Sequence, residues 1–338
     1  MNVGTPDSPR TADVRRYLKQ FLGDGRVIDV PWLLRKILVN GIIAPFRAPK
    51  SAKAYRKLWT DKGSPLIIHG SALRDALQAT LGDNYRLALA MSYQNPSMRQ
   101  GLNELRATGV QRLILVPMYP QYASSSTGAS LQAAFQEIAS WNDIPPVSTL
   151  PPFYREEGYL AAFAERILGC TPESYGHVLF SFHGLPDRHI QRSHTACSDH
   201  LQGDLDKNPI AGCACERGDY NSFPACYKMQ CHSTARSLAK RCGLQPGNWS
   251  VGFQSRLDSK WVTPFSDKRV EELAKAGCEK LLVVSPAFIS DCLETVIEIG
   301  DEYDEIFKEH GGKELHLVPS LNALPSWVDA LAQLVRQM

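Results

Sequence analysis

Short apolar runs punctuate the chain, each ending near Gly, Pro or Ser: Leu66-Ile67-Ile68, Arg86 to Met91, Leu113 to Val116, Val178-Leu179-Phe180, Val251-Gly252-Phe253 and Leu281 to Val284. Continuous runs of that length suit strands buried on both faces. Between them lie stretches with apolar residues at helical spacing: Ala72 to Leu81, Met98 to Thr108, Gly158 to Leu168 and Lys268 to Ala276. This alternation predicts an α/β fold with open, mostly parallel sheet flanked by helices. An internal repeat divides it. Glu-Leu-Arg-Ala-Thr-Gly-Val-Gln-Arg-Leu-Ile-Leu-Val at 104–116 returns as Glu-Leu-Ala-Lys-Ala-Gly-Cys-Glu-Lys-Leu-Leu-Val-Val at 272–284, an offset of 168. In each copy a helix is expected to end at Gly (Gly109, Gly277) before a basic residue leads into a strand. Helix–Gly–strand is also common α/β grammar. The favoured reading is two similar Rossmann-like lobes, 1–165 and 166–338, with a cleft between them at the strand C-termini, where open α/β sheets bind ligands. The C-terminal helix is expected to pack back on the first lobe.

Composition narrows the function classes. The 338 residues are 43% hydrophobic and 21% charged, which excludes wholesale disorder. Lys and Arg (37) nearly balance Asp and Glu (35), so a nucleic-acid backbone is not an expected partner. No window reaches the ~20 uninterrupted apolar residues of a membrane span. The opening residues carry no signal-peptide pattern, and a cytoplasmic location is expected. One apolar group stands out: Trp32, Leu33, Leu34, Ile37, Leu38, Ile42, Ile43, Pro45 and Phe46, punctuated by Arg35, Lys36, Arg47, Lys50 and Lys53. A helix packed on its own core is the default reading. An exposed apolar lip, about residues 28–50, would instead suit a flat anionic ligand or a membrane surface.

Candidate chemistry sits just after the strands. His183 follows an apolar strand within Ser181-Phe182-His183-Gly184-Leu185-Pro186, a setting for a base or a metal ligand, although a histidine simply satisfied in the core is the alternative. Asp291 to Glu305 reads as a helix in which Glu294, Glu298 and Glu302 recur every four residues, with Asp291 one turn earlier. Stacked like charges without interleaved Lys or Arg can pass a hard cation or protons along a line; an ordinary acidic surface helix is the competing reading. Nine cysteines in a chain with no mark of secretion argue against a disulfide framework. Five of them, Cys197, Cys213, Cys215, Cys226 and Cys231, crowd the segment 197–231. Their spacing offers only Cys226 and Cys231 as a close pair of the kind tetrahedral zinc favours. Four thiolates in an irregular loop can also hold a two-iron two-sulfur cluster, and free thiols are the third possibility.

Gly4-Thr5-Pro6, the Pro117 to Gly128 stretch, the His183 motif, Gln254-Ser255-Arg256, Trp261 and Asp291-Cys292-Leu293-Glu294-Thr295 together resemble the ferrochelatase family, in the expected order from Val3 to about Val335. The resemblance implies two Rossmann-like lobes and insertion of Fe²⁺ as substrate into protoporphyrin IX. It places metal-binding or proton-accepting roles on His183 and Glu294, and a metal or proton path along Asp291, Glu298 and Glu302. It makes Ile28, Tyr122, Trp261 and Phe288 the lining of the porphyrin pocket. It also implies an iron–sulfur cluster, favoured here over zinc, although animal members place three ligands in a C-terminal extension whose positions do not carry over. Two further departures are Ser92, where animal members have Arg, and Cys292, where they have His. The apolar strand before Gly4 is cut to three residues. A related chelatase acting on coproporphyrin or loading Co²⁺ or Ni²⁺, and a porphyrin or haem carrier without turnover, stay open as alternatives. The apolar lip then becomes a mouth for a ligand made near a membrane, with peripheral contact at its inner face.

Overall fold

The structure, a computed structural model, describes residues 1–193 and 226–338. Its chain divides into two compact units. The first comprises Met1–Tyr119, Ala123–Pro151 and Asn322–Met338; the second comprises Pro120–Tyr122 and Pro152–Leu321. The second unit therefore takes up the chain at Pro152, ahead of residue 165, because the whole helix Glu157–Gly169 packs within it.

In the first unit, β1 (Leu113–Leu115) pairs in parallel with β2 (Val147–Thr149), Leu113 lying opposite Val147. Main-chain bonds extend this small sheet without forming full ladders. Asn2 N–H donates to the Ala90 carbonyl at 3.1 Å, Ser92 N–H to the Asn2 carbonyl at 2.9 Å, and Met118 N–H to the Met1 carbonyl at 2.9 Å. The run from Arg86 to Met91, expected as a strand, accordingly forms only two isolated bridges at Met91, to Asn2 and to Ser97. Leu113, Leu115, Ala90, Met98, Leu102, Ala134, Ile138 and Trp141 make the core beside it. Leu66-Ile67-Ile68 is not a strand. It opens the helix Pro65–Leu81, begun by Pro65 at a position that needs no N–H. Leu66, Leu73, Leu77 and Leu81 bury one face of that helix, and this longer period outweighs three apolar residues in a row. The helix Pro325–Arg336 belongs to the same unit, and Arg336 Nη2 donates to the Thr80 carbonyl at 2.7 Å.

The apolar segment near the N-terminus forms the helix Trp32–Ile37, a π-helical stretch Leu38–Ile43 and the helix Ala44–Leu58. Its default reading, burial on a core, fails for the front half. Trp32 (64%), Leu33, Leu34, Ile37, Ile42 and Phe46 (78%) are all exposed. Lys36 Nζ stands 5.0 Å from the Trp32 ring centroid.

The second unit holds a four-stranded parallel sheet in the order β4-β3-β5-β6. Its strands are β3 (His177–His183), β4 (Trp249–Gln254), β5 (Lys280–Val284) and β6 (Glu314–Leu317). Val178, Leu179, Phe180 and Phe182 of β3 and Leu281 to Val284 of β5 are essentially inaccessible, as expected for strands covered on both faces. Val270, Ala274, Ile299, Tyr303 and Phe307 pack one face. The two copies of the repeat adopt the same local structure. The helices Met98–Ala107 and Ser266–Lys275 end just before Gly109 (φ +71°) and Gly277 (φ +88°), and a strand follows each. Left-handed backbone at that position is what glycine supplies without strain.

The acidic segment differs from the expected α-helix. Glu294–Tyr303 is a π-helix, continued as an α-helix over Asp304–Glu309, and Asp291 lies ahead of both. Bonding from residue i to i+5 widens each turn, so a four-residue repeat still returns to nearly the same face, and the glutamates stay in file.

Candidate active site

In a parallel sheet all strand C-termini emerge at one edge, and the loops there inherit the chemistry. His183 is the last residue of β3 and lies in register with Gln254, the last residue of β4. Its Nδ1 is 2.6 Å from the Gly184 carbonyl oxygen. A carbonyl only accepts, so Nδ1 is the donor in this contact, and Nε2 is the nitrogen left to meet a metal or a proton. The His183 ring centroid lies 6.5 Å from that of Trp261 and 6.4 Å from that of Phe288. The Tyr227 hydroxyl donates to the His183 carbonyl at 2.7 Å, fixing the main chain behind the ring. Gly184 is required by packing: a Cβ there would stand 2.8 Å from the Gln254 carbonyl oxygen and 3.3 Å from Trp261 Cε3.

Gln254 ties this edge to the glutamates. Its side chain is 1% exposed. Ser181 Oγ donates to Gln254 Oε1 at 2.8 Å, and Gln254 Nε2 donates to the Glu294 carbonyl at 3.2 Å. A strand thereby holds the first turn of the π-helix.

Along that helix the environment grades from inside to outside. Glu294 and Glu298 are partly buried, and Glu302 is exposed. Glu298 is the perturbed member, its pKa pushed up to about 7. Burial is the main cause, and the Glu294 and Glu302 carboxylates add to it. Hydrogen bonds from Ser255 oppose the rise: its N–H donates to Oε1 at 2.8 Å and its Oγ to Oε2 at 2.5 Å. Tyr303 OH also donates to Oε1, at 3.3 Å. Asp291 is used differently. Its Oδ1 accepts from Thr295 Oγ1 at 3.3 Å and from Ser320 N–H at 3.2 Å, which braces the turn into the helix. Cys292 is buried, and burial followed by the neighbouring Glu294 carboxylate pushes its thiol well up.

Of the other expected residues, Tyr122 sits in the second unit, its N–H donating to Gln230 Oε1 at 2.8 Å. Trp261, Phe288 and Tyr122 are partly buried. Ile28 lies in the first unit, its carbonyl accepting from Arg35 Nη1 at 3.1 Å. Ser92 bonds Ser130 Oγ at 2.7 Å in that same unit. Cys226 and Cys231 are buried at the start of the helix Tyr227–Arg241, and burial pushes the Cys231 thiol well up. Cys197, Cys213 and Cys215 lie outside the described residues. Among the described residues no three His, Cys, Asp or Glu side chains converge to form a metal cage. Sequence reasoning did not single out the roles of Gln254, Ser255 and Tyr303. The signal available was the polar triplet Gln254-Ser255-Arg256 immediately after a buried strand.

An imidazole with an open nitrogen and a file of carboxylates, both at the C-terminal edge of a parallel sheet, define an α/β protein of the chelatase type. The solved structure of SirB from Bacillus subtilis with Fe³⁺ shares this fold at a TM-score of 0.50 and 13% identity, over 80% of this chain and 88% of that one. The chain belongs to the ferrochelatase family, whose model matches residues 1–338. Its relatives include the ferrochelatases of Pseudomonas aeruginosa and Stutzerimonas stutzeri, each 42% identical over 99% of this chain and 95% of theirs. That of Azotobacter vinelandii is 41% identical over 99% of this chain and 97% of its own.

Proposed function

We propose that the protein inserts Fe²⁺ into protoporphyrin IX, releasing two protons, as the metal-loading lyase of haem biosynthesis. The observation that carries this reading is His183, whose Nδ1–H is fixed on the Gly184 carbonyl, leaving Nε2 for a metal or a proton, with the Trp261 and Phe288 ring centroids 6.5 and 6.4 Å from the imidazole. Replacing two pyrrole protons by a dication needs a flat apolar seat, a base and a carboxylate. The aromatic rings grip the macrocycle's faces and edges, and binding energy from the periphery holds it bent toward the reacting shape. His183 Nε2 accepts a pyrrole proton or meets the metal, and Glu294 supplies negative charge beside it. Anaerobic assay of the purified protein with Fe²⁺ and protoporphyrin tests the reading: metalloporphyrin formation supports it, and stoichiometric porphyrin binding without turnover would leave a carrier instead. Faster turnover of coproporphyrin under the same conditions would change the ring and keep the chemistry.

The exposed lip from Trp32 to Phe46, flanked by exposed Lys36, Arg47 and Lys50, suits peripheral contact with an anionic membrane from the cytoplasmic side. Co-sedimentation with vesicles containing anionic lipid, abolished in W32S/F46S, is the expected result; equal pelleting of both proteins overturns the contact. Four of the five cysteines from Cys197 to Cys231 are proposed to hold a two-iron two-sulfur cluster. Cys226 and Cys231 supply one buried end of that donor set, and such a cluster would act by stabilising its own loop. A reddish-brown protein bleached by acid supports it, and a colourless protein with one zinc per chain replaces it with a zinc site.

A further inference from the structure

Ser255 is the first residue beyond β4 and adopts φ +64°, a left-handed backbone that an L-residue with a side chain adopts only under strain. That conformation aims both of its donors at one carboxylate, the amide at Glu298 Oε1 (2.8 Å) and the hydroxyl at Oε2 (2.5 Å). Tyr303 OH adds a third donor at 3.3 Å. A carboxylate has about four acceptor positions, and three are taken. A group that hands a cation along needs open oxygens and freedom to swing. A group that accepts a proton needs a fixed place and a tuned affinity.

We propose that Ser255 is a positioning residue that fixes Glu298 as the proton acceptor of the glutamate file, not as a ligand that relays the cation. This rests on the metal-inserting function proposed above. In each turnover a proton reaching Glu298 converts its carboxylate to the neutral acid and then leaves toward water at the exposed Glu302 end; no other bond changes. The groups facing Glu298 are Glu294, Glu302 and Tyr303 on its own helix and Ser255 beyond β4. Past Tyr303 lies the ion pair of Arg256 with Asp267, the latter on the helix Ser266–Lys275. Burial and the two glutamates raise the proton affinity of Glu298, and Ser255 lowers it.

The test compares turnover with Zn²⁺ and protoporphyrin across pH 5.5–9 for the wild type, S255A, S255G, E298Q and S255A/E298Q. S255G removes the same hydroxyl as S255A while relieving the backbone strain, so it covers misfolding of the alanine variant. Loss of the hydroxyl should move the acid limb of kcat upward by about one pH unit in both variants, because hydrogen bonds to the charged form are lost. KM for Zn²⁺ should stay within about twofold, since no cation ligand has been touched. Adding S255A to E298Q should change nothing further, because the two act as one unit. An unmoved acid limb, a raised KM for Zn²⁺, or additive losses in the double variant would each overturn the proposal. A wild type without metal insertion would instead remove the function on which it rests.

Discussion

Replacing Glu298 with Gln should make the protein more stable at alkaline pH and leave it nearly unchanged at acidic pH. The carboxyl's pKa rises from 4.5 in the unfolded chain to about 7 in the folded one. Below pH 4.5 the group is neutral in both states and burial carries no charge penalty. Between pH 4.5 and 7 the folded state binds the proton more tightly than the unfolded state, so stability falls as pH rises, and above 7 the full penalty applies. A shift of that size corresponds to about 3 kcal/mol. Water reaching the partly exposed side chain, and the loss of one good acceptor opposite Ser255, reduce the expected gain of E298Q to about 1–2 kcal/mol at pH 8. The assay is urea denaturation of both proteins at half-unit steps from pH 4.5 to 8.5, comparing midpoints at equal slopes. A stability difference that stays flat over this range would refute the reasoning, since an uncharged neighbour effect does not titrate. Turnover should move the other way, as expected where a site holds a group that folding alone would not select.

His183→Ala should abolish metal insertion while porphyrin still quenches tryptophan fluorescence, because the ring is held by apolar contact; near-normal turnover would remove His183 from the chemistry. Glu294→Gln should lower kcat by orders of magnitude, whereas Glu302→Gln, exposed at the outer end where protons leave to water, should lower kcat only a few-fold; equal effects at both positions would contradict a graded file. Gly184→Ala must push its new Cβ against the Gln254 carbonyl and Trp261, so it should cost about 1–3 kcal/mol in denaturation and reduce turnover about tenfold; an unchanged midpoint would show the edge of the sheet to be more yielding than its contacts imply.

Where the chain advertises its buried strands, sequence reading and structure agree. Val178 to Phe180, Val251 to Phe253 and Leu281 to Val284 are continuous apolar runs that lie in the doubly covered sheet, and the Gly109 and Gly277 stops mark the helix ends before β1 and β5. Short segments are harder. Val147-Ser148-Thr149 and Glu314-Leu315-His316-Leu317 became β2 and β6 through pairing with neighbours distant in sequence, and neither run carries a strong local signal. Leu66-Ile67-Ile68 looked like a strand because its helical partners, Leu73 to Leu81, lie farther along. The acidic file was legible from its four-residue spacing, yet a four-residue repeat fits α and π windings alike, so the wider turn was not. Ser255 was hidden for another reason: its role depends on a positive φ, and serine gives no warning of one.

The helix Pro325–Arg336 completes the first unit, although nearly all of that unit's other residues precede Pro152. During synthesis the second unit, Pro152 to Leu321 with the small excursion Pro120–Tyr122, is made before this helix. The first unit waits with the Leu73–Leu81 face of its Pro65–Leu81 helix unprotected, at the cost of closing a loop of more than two hundred residues. A stop codon or protease nick near Asn322 would therefore strike the unit that starts the chain while sparing the one that carries His183. The damage would surface as an apolar helix face offered to chaperones rather than as a missing catalytic group.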